Sequence, residues 1–236
     1  MATFVLVHGG WHGGWCWKYV TPLLRAAGHE VFTPTLTGVG ERVHLARPDT
    51  GLETHIQDVI GVLTYEDLRE VVLVGHSSGG PVITGVADRM PERIAQLVYL
   101  DASVPRDGQA DVDCYPLEFG ARVWAEGLLA EGKDAIPPIT EEHPFGITKG
   151  EDIHWVNAKF TPHPIKAFLD PLQLKNGDPH LNARAFILCT LADPAWTSVA
   201  RARTEPGWRV IELPTGHDAM VIAPHALVDV LLTLVA

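Results

Sequence analysis

The segment Gly75-His76-Ser77-Ser78-Gly79 directly follows the apolar run Val71-Val72-Leu73-Val74. Together they read as a strand that breaks into a tight turn and lifts one serine hydroxyl clear of the backbone. The chemistry open to such a serine is nucleophilic attack on a carbonyl carbon. The turn leaves almost no room two residues before and two after the serine, and Gly75 and Gly79 meet that demand. Val82, Ile83, Val86 and Ala87 follow with helical spacing, and Pro81 falls in the first turn, where a missing N–H costs little. Ser77 Oγ would then stand at the carboxyl end of a strand above a helix N-terminus, a position that favours developing negative charge. The five-residue pattern alone also fits a buried glycine-rich turn without chemistry, the lesser of the two readings, so its weight depends on partners elsewhere in the chain.

A serine hydroxyl needs a base, and twelve histidines are available. His217 lies in Thr215-Gly216-His217-Asp218, directly after the apolar run Arg209 to Leu213 and before the last helical stretch, which predicts a loop at the same sheet edge as Ser77. His76 adjoins the serine and is expected to point away as packing. His8 and His12 flank Gly9-Gly10 at a strand end, not on a helix, which argues against metal ligation. The base in turn needs an acid that fixes its tautomer. Asp193, after the strand Ala185 to Thr190, gives the order Ser, Asp, His expected of such a scaffold and is the preferred candidate. Asp101, ending the strand Leu97 to Leu100, reaches the same edge and is the substitute. Asp218 is too close to His217 in the chain to orient it.

Attack on a carbonyl also requires two backbone donors for the oxyanion. His8-Gly9-Gly10-Trp11 ends the first strand, and its glycines let the Gly10 N–H turn toward Ser77, while the Ser78 N–H supplies the second donor. Proposed catalytic residues are therefore Ser77, His217 and Asp193, with an oxyanion hole at Gly10 and Ser78.

These side chains must be carried by a scaffold. Phe4 to His8, Glu30 to Pro34, Val71 to Gly75, Leu97 to Asp101, Ala185 to Thr190 and Arg209 to Leu213 are short, nearly continuous apolar runs, as in a parallel sheet covered on both faces. Helical patterns fall at Trp15 to Ala27 (closed by Gly28), Thr54 to Leu63, Ser78 to Arg89 and Pro224 to Val235. The alternation predicts an α/β fold with a doubly wound, mostly parallel sheet. It breaks between Pro105 and about Leu181, where Pro, Gly and acidic residues predict an inserted, mainly helical cap over residues 105–182, leaving 1–104 and 183–236 as the core. Cap aromatics, among them Phe119, Trp124 and Trp155, together with Trp11 and Met220, are the candidate substrate-binding residues, although any single aromatic can equally be core.

The chain has 236 residues, 46% of them hydrophobic and 20% charged, enough for one sizeable core. A net charge of −11 without a basic run argues against nucleic acid or an anionic membrane surface as partner. Met1-Ala2-Thr3 leads straight into a strand with no basic or long apolar leader, and no run suggests a membrane span, so a cytoplasmic location is expected. Cys16, Cys114 and Cys189 are widely spaced and odd in number, pointing to buried apolar packing in place of disulfides or a zinc site. No cofactor and no metal are called for. The partner expected is a small-molecule ester, and a homodimer is left open.

With Val5-Leu6-Val7-His8-Gly9-Gly10-Trp11, Gly75-His76-Ser77-Ser78-Gly79-Gly80 and Gly216-His217 in place, the chain resembles the α/β-hydrolases. More narrowly, it resembles the compact subfamily that holds plant methyl-ester hydrolases, plant hydroxynitrile lyases and bacterial esterases acting on pyrethroids and similar bulky esters. Thr37-Gly38-Val39-Gly40-Glu41-Arg42 and Leu100-Asp101-Ala102 are similar to segments of the bacterial members. In that subfamily the acid lies three residues after a strand-ending threonine, and Thr190-Leu191-Ala192-Asp193 matches. Its lyases carry a threonine after the first-strand histidine and a lysine after the catalytic histidine, where this chain has Gly9 and Asp218. The resemblance therefore implies a serine carboxylesterase acting through an acyl-enzyme. Cyanohydrin cleavage on the same triad and a non-catalytic ligand receptor are the alternatives.

Overall fold

In the computed structural model, residues 1–117, 120–139, 144–177, 183–192 and 197–235 are described. Six strands form one parallel sheet: β1 (Thr3–Val7), β2 (Glu30–Phe32), β3 (Val71–His76), β4 (Ile94–Leu100), β7 (Arg184–Cys189) and β8 (Trp208–Leu213). Their spatial order is β2-β1-β3-β4-β7-β8. The chain turns outward from β1 to β2 and then crosses back to β3, so the direction of winding reverses between β1 and β3. In open α/β sheets the crevice at that reversal is where ligands bind, and here the two neighbouring strands end in Gly9-Gly10 and in Ser77.

Side chains alternate across each strand, so one strand feeds two cores. Phe4 and Leu6 of β1 join Val72, Val74, Val98 and Leu100 beneath α1 (Val20–Ala26) and α9 (Pro224–Leu232). Val5 and Val7 join Leu73, Leu97 and Tyr99 beneath α2 (Leu52–Tyr65), α3 (Gly79–Arg89) and α7 (Thr197–Thr204). Such two-sided burial is why the strand sequences are apolar throughout and lack the alternation of a half-exposed sheet.

The expected helix from Trp15 to Ala27 is instead a 3-10 turn over Gly14–Lys18 followed by α1. Such tight turns are common where a helix begins, and a Cβ at Gly14 would lie 2.1 Å from the Thr33 carbonyl oxygen, so the chain must pass that point without a side chain. Gly28 closes α1 at φ +86°, as its place in the sequence suggests. A short helix, α8 (Ala219–Ile222), precedes α9.

Between β4 and β7 lie α4 (Ala121–Ala130), α5 (Gly150–Asn157) and α6 (Lys166–Leu169), as expected of a mainly helical insertion. They are joined by a two-stranded antiparallel ribbon, β5 (Ala135–Ile136) with β6 (His163–Pro164), too short to leave a periodic signal in the sequence. Ala110, Val112, Ala125, Ile136, Ile165 and Phe168 give this segment a small core of its own. Among the described residues, no helix is long and apolar enough to cross a membrane.

The segment after β4 lies directly on α3: a Cβ built on Gly80 would come 1.8 Å from the Ser103 carbonyl oxygen. That neighbour is backbone and cannot swing aside. Gly80→Ala should therefore cost about 1–3 kcal/mol, the usual cost of overpacking. Urea unfolding should show it as a lower midpoint with an unchanged slope.

Candidate active site

Ser77 follows β3 immediately and holds φ +53°, a left-handed conformation unusual for a residue with a side chain. Around it, added side chains have no space. A Cβ on Gly75 would lie 2.8 Å from the Gly79 carbonyl oxygen, and one on Gly79 would lie 2.9 Å from that of His8. The turn is pinned by Ser77 N–H donating to the Leu100 carbonyl (3.2 Å) and by Gly80 and Ser103 N–H groups donating to the Ser77 carbonyl (3.1 and 3.2 Å). Ser77 is buried with 8% of its surface left exposed.

His217 arrives on the loop after β8. His76 Nε2 lies 3.1 Å from the His217 carbonyl oxygen, and the two rings lie 4.5 Å apart. His76 is thus packing, but packing that holds the His217 loop against the serine turn. Burial keeps its own basicity well below the usual value, with the neighbouring His217 and His12 acting in the same direction. It is therefore a neutral donor.

The carboxylate on His217 is that of Asp101: its Oδ2 lies 2.6 Å from Nδ1. Asp101 follows β4, is fully buried, and also sits at a positive φ of 44°. Its other oxygen accepts from the Cys189 N–H at 3.3 Å, and its own N–H donates to the Ile187 carbonyl at 2.8 Å. Asp193, the preferred acid on loop order, lies outside the described residues. Asp218 turns away from Nδ1 toward His12, as its place next to His217 requires. Burial alone would lower the basicity of His217. The hydrogen bond and charge of Asp101, with the charge of Asp218, outweigh it and leave the pKa above the ordinary 6.5.

Two consecutive peptide groups of the loop after β1, Gly9–Gly10 and Gly10–Trp11, are held by buried imidazoles. His8 Nδ1 lies 2.8 Å from the Gly9 carbonyl oxygen, His12 Nδ1 lies 2.6 Å from that of Gly10, and the Trp11 N–H donates to His163 Nδ1 at 3.2 Å. His8 Nε2 accepts from the Leu36 N–H, which fixes the neutral tautomer with its proton on Nδ1. Burial pushes His8 down to about 3. In a trans peptide the N–H points opposite to the C=O. Anchoring the Gly9 carbonyl on His8 therefore directs the Gly10 N–H to the other side. Gly10 also lies beside Ser78: a Cβ built on it would come 3.6 Å from Ser78 Oγ. His8 and His12 are committed to these bonds, and among the described residues no group of three His, Cys, Asp or Glu side chains suits a metal ion.

The expected substrate-binding residues part company. Trp11 is at the site, at φ +63°, stacked 5.9 Å from Phe145 and tilted 5.8 Å from Phe168. Phe145, whose ring lies 5.6 Å from that of His217, carries no sequence signal that would single it out. Trp155 packs on Trp15 and Tyr19 under Lys18, and Trp124 is 46% exposed on α4, so neither is brought to Ser77. Met220 is fully buried in the core below α9. Phe119 lies outside the described residues.

A serine on a left-handed turn after a central strand, a histidine on a late loop and a buried carboxylate on that histidine are the arrangement of an α/β-hydrolase site. The sequence pattern of the Alpha/beta hydrolase family matches residues 4–230, and the chain belongs to that family. It is 43% identical to a carbendazim hydrolyzing esterase of Nocardioides sp. (strain SG-4G), over 99% of this chain and 100% of that protein. A putative chloroplastic methylesterase 14 of Arabidopsis thaliana is 30% identical over 81% of this chain, which spans 59% of that longer protein. Among solved structures, an extracellular alpha/beta-hydrolase from a Paenibacillus species superposes with a TM-score of 0.85, at 23% identity over 99% of both chains, which shows the shared fold. Within the family this chain is a carboxylic ester hydrolase, and these relatives favour neither the lyase nor the receptor alternative.

The environment of His217 yields a direct measurement. Followed by NMR, its imidazole should titrate above 6.5, because the Asp101 bond stabilises the charged ring. Asp101→Asn removes the largest opposing influence, so burial should take over and the titration should fall below 6.5.

Proposed function

We propose that Ser77 is the nucleophile, His217 the general base and Asp101 the carboxylate that orients it, with the N–H groups of Gly10 and Ser78 receiving the oxyanion. The observation that carries this reading is the 2.6 Å contact between Asp101 and His217 Nδ1. It assigns that nitrogen to the acid and leaves Nε2 as the nitrogen that takes the serine proton. Ser77 attacks the ester carbonyl, His217 passes the proton to the departing alcohol, and water then releases the acyl group by the reverse transfer. Asp193, carried forward from the order of elements, is the competing acid.

The substrate we propose is a small to medium, largely apolar ester, met by Trp11, Phe145 and Phe168. Gly9 supports hydrolysis over cyanohydrin cleavage, since a Cβ there would come 2.7 Å from Ser77 Cβ, leaving no room for the threonine that the lyases carry. Residues 105–182 act as the cap over the core formed by 1–104 and 183–236. A reducing, cytoplasmic setting suits Cys16, Cys114 and Cys189, which are buried thiols outside any disulfide.

A panel of nitrophenyl, methyl and aromatic esters, with carbendazim included, should find turnover that Ser77→Ala abolishes. A serine-directed fluorophosphonate should label Ser77, and labelling elsewhere would overturn the assignment. Asp101→Asn should lower kcat by roughly 10⁴-fold through the wrong tautomer. If Asp193→Asn does so instead, the acid is Asp193. Since hydrolysis needs neutral His217, the acidic limb of kcat/KM should have its midpoint above 6.5, and the rate should fall tenfold per pH unit below it.

A further inference from the structure

His12 was weighed from the sequence only as a metal ligand, yet its setting differs from that of every other buried histidine near the site. His8 faces one acceptor and one donor and is satisfied as a neutral ring. His12 faces two acceptors. Its Nδ1 lies 2.6 Å from the Gly10 carbonyl oxygen and its Nε2 lies 3.0 Å from Asp218 Oδ2. Exposure is 1% for His12 and zero for Asp218. Both contacts are hydrogen bonds only if Nδ1 carries a hydrogen and a second proton lies between Nε2 and Oδ2. The pair is therefore neutral as a unit, whichever of the two atoms holds that proton.

Position makes this pair more than a core contact. Gly10 belongs to the loop that offers the oxyanion donor, and Asp218 adjoins His217. Together with the His163 bond to the Trp11 N–H, the His12 bond to the Gly10 carbonyl fixes the plane of the Gly10–Trp11 peptide and with it ψ of Gly10, a residue with no side chain to restrain it. The ring is wedged by Trp15 (5.4 Å, stacked), Phe160 (4.8 Å, edge-on) and Phe145 (5.7 Å), so it cannot follow the loop if the loop moves. We propose that His12 is a positioning residue for ester hydrolysis: through Gly10 and Asp218 it ties the oxyanion loop to the loop of the base, and it offsets part of the charge that Asp218 places beside His217. The proposal rests on the roles given above to Ser77, His217 and Gly10.

The charged and titratable groups around this pair are few enough to name. Asp218 meets His12 and, at 3.8 Å, His76, and its charge adds to burial in raising the Cys16 thiol and to burial and Asp101 in raising that of Cys189. His217 meets Asp101, His76 and the Asp218 charge. His8 and His163 lie further along the same imidazole cluster. Of these, Asp218 is the carboxylate whose balance depends on His12.

Three substitutions separate the two bonds. Asn places its amide nitrogen where Nδ1 stands and can keep the Gly10 bond. Gln reaches the place of Nε2 and can keep Asp218. Phe keeps the ring and neither bond. With 4-nitrophenyl acetate, His12→Phe should lower kcat roughly 100-fold, the scale of a misplaced catalytic group, with KM within about threefold. His12→Asn should recover part of kcat but share with His12→Phe an acidic limb moved to higher pH, because Asp218 is left unbalanced beside His217. His12→Gln should leave the limb in place. Thermal unfolding and circular dichroism check that each variant is folded. Where His12→Phe does not fold, the Asn and Gln variants carry the test. In the wild-type protein, ¹⁵N–¹H correlation should show a slowly exchanging Nδ1–H on His12, and its absence would overturn the proposal. So would folded variants with kcat within threefold of wild type, or a limb that is the same in all of them. Ser77→Ala, measured alongside, separates the two levels: surviving turnover there defeats the reading of the site, whereas silent Ser77→Ala with wild-type His12 variants defeats this inference alone.

Discussion

The geometry of the site depends on one backbone constraint: after β3 the chain must reverse within a single residue, and that residue carries a side chain. Ser77 does so at φ +53°, and it is not alone. Trp11 after β1 and Asp101 after β4 also hold positive φ, at 63° and 44°. Each such residue costs on the order of 1–3 kcal/mol, and such residues persist only where the surroundings over-determine them. Here the carboxyl ends of three adjacent strands are laced together by bonds from Ser77 to Leu100, Asp101 to Ile187 and Ser103 to Ser77. The two cores on either face of the sheet supply the stability against which this strain is held.

That constraint explains the pattern of glycines. Gly9, Gly75, Gly79 and Gly80 are the points at which the strand ends and α3 approach too closely for a Cβ, and at each of the four a Cβ would come within 3 Å of backbone or of the serine itself. The same closeness leaves Gly9 no room for any side chain beside Ser77 and His76.

Around this rigid edge lies a cluster of buried histidines, His8, His12, His55, His76 and His163. Burial keeps His8, His55, His76 and His163 less basic than usual, so they serve as neutral donors and acceptors for loop backbone. His217 is the exception because Asp101 opposes the cost of burial. The difference between the imidazoles that burial keeps neutral and the one that stays basic is thus a difference of partner, with burial common to both.

The sequence by itself determined the sheet, the helices flanking it, the serine turn and the loop of the base. These follow from local apolar periodicity and from glycines at fixed offsets, which act over a few residues and are legible in one dimension. The short ribbon of β5 and β6 and the split of the first helix were not legible, since two-residue strands leave no period and the break at Gly14 is imposed by Thr33. Loop order preferred Asp193 over Asp101 as the acid, although both can reach the edge, and Asp193 lies outside the described residues. The structure puts Asp101 on His217 through the register of β3, β4 and β7, which carries no local signal. Likewise Trp124, Trp155 and Met220 are as aromatic or apolar as Trp11, and only the packing of the folded chain decides which faces the site. His12 is the sharpest instance: its partners are Gly10, two residues away, and Asp218, 206 residues away. A contact of that span exists only once the whole sheet has assembled.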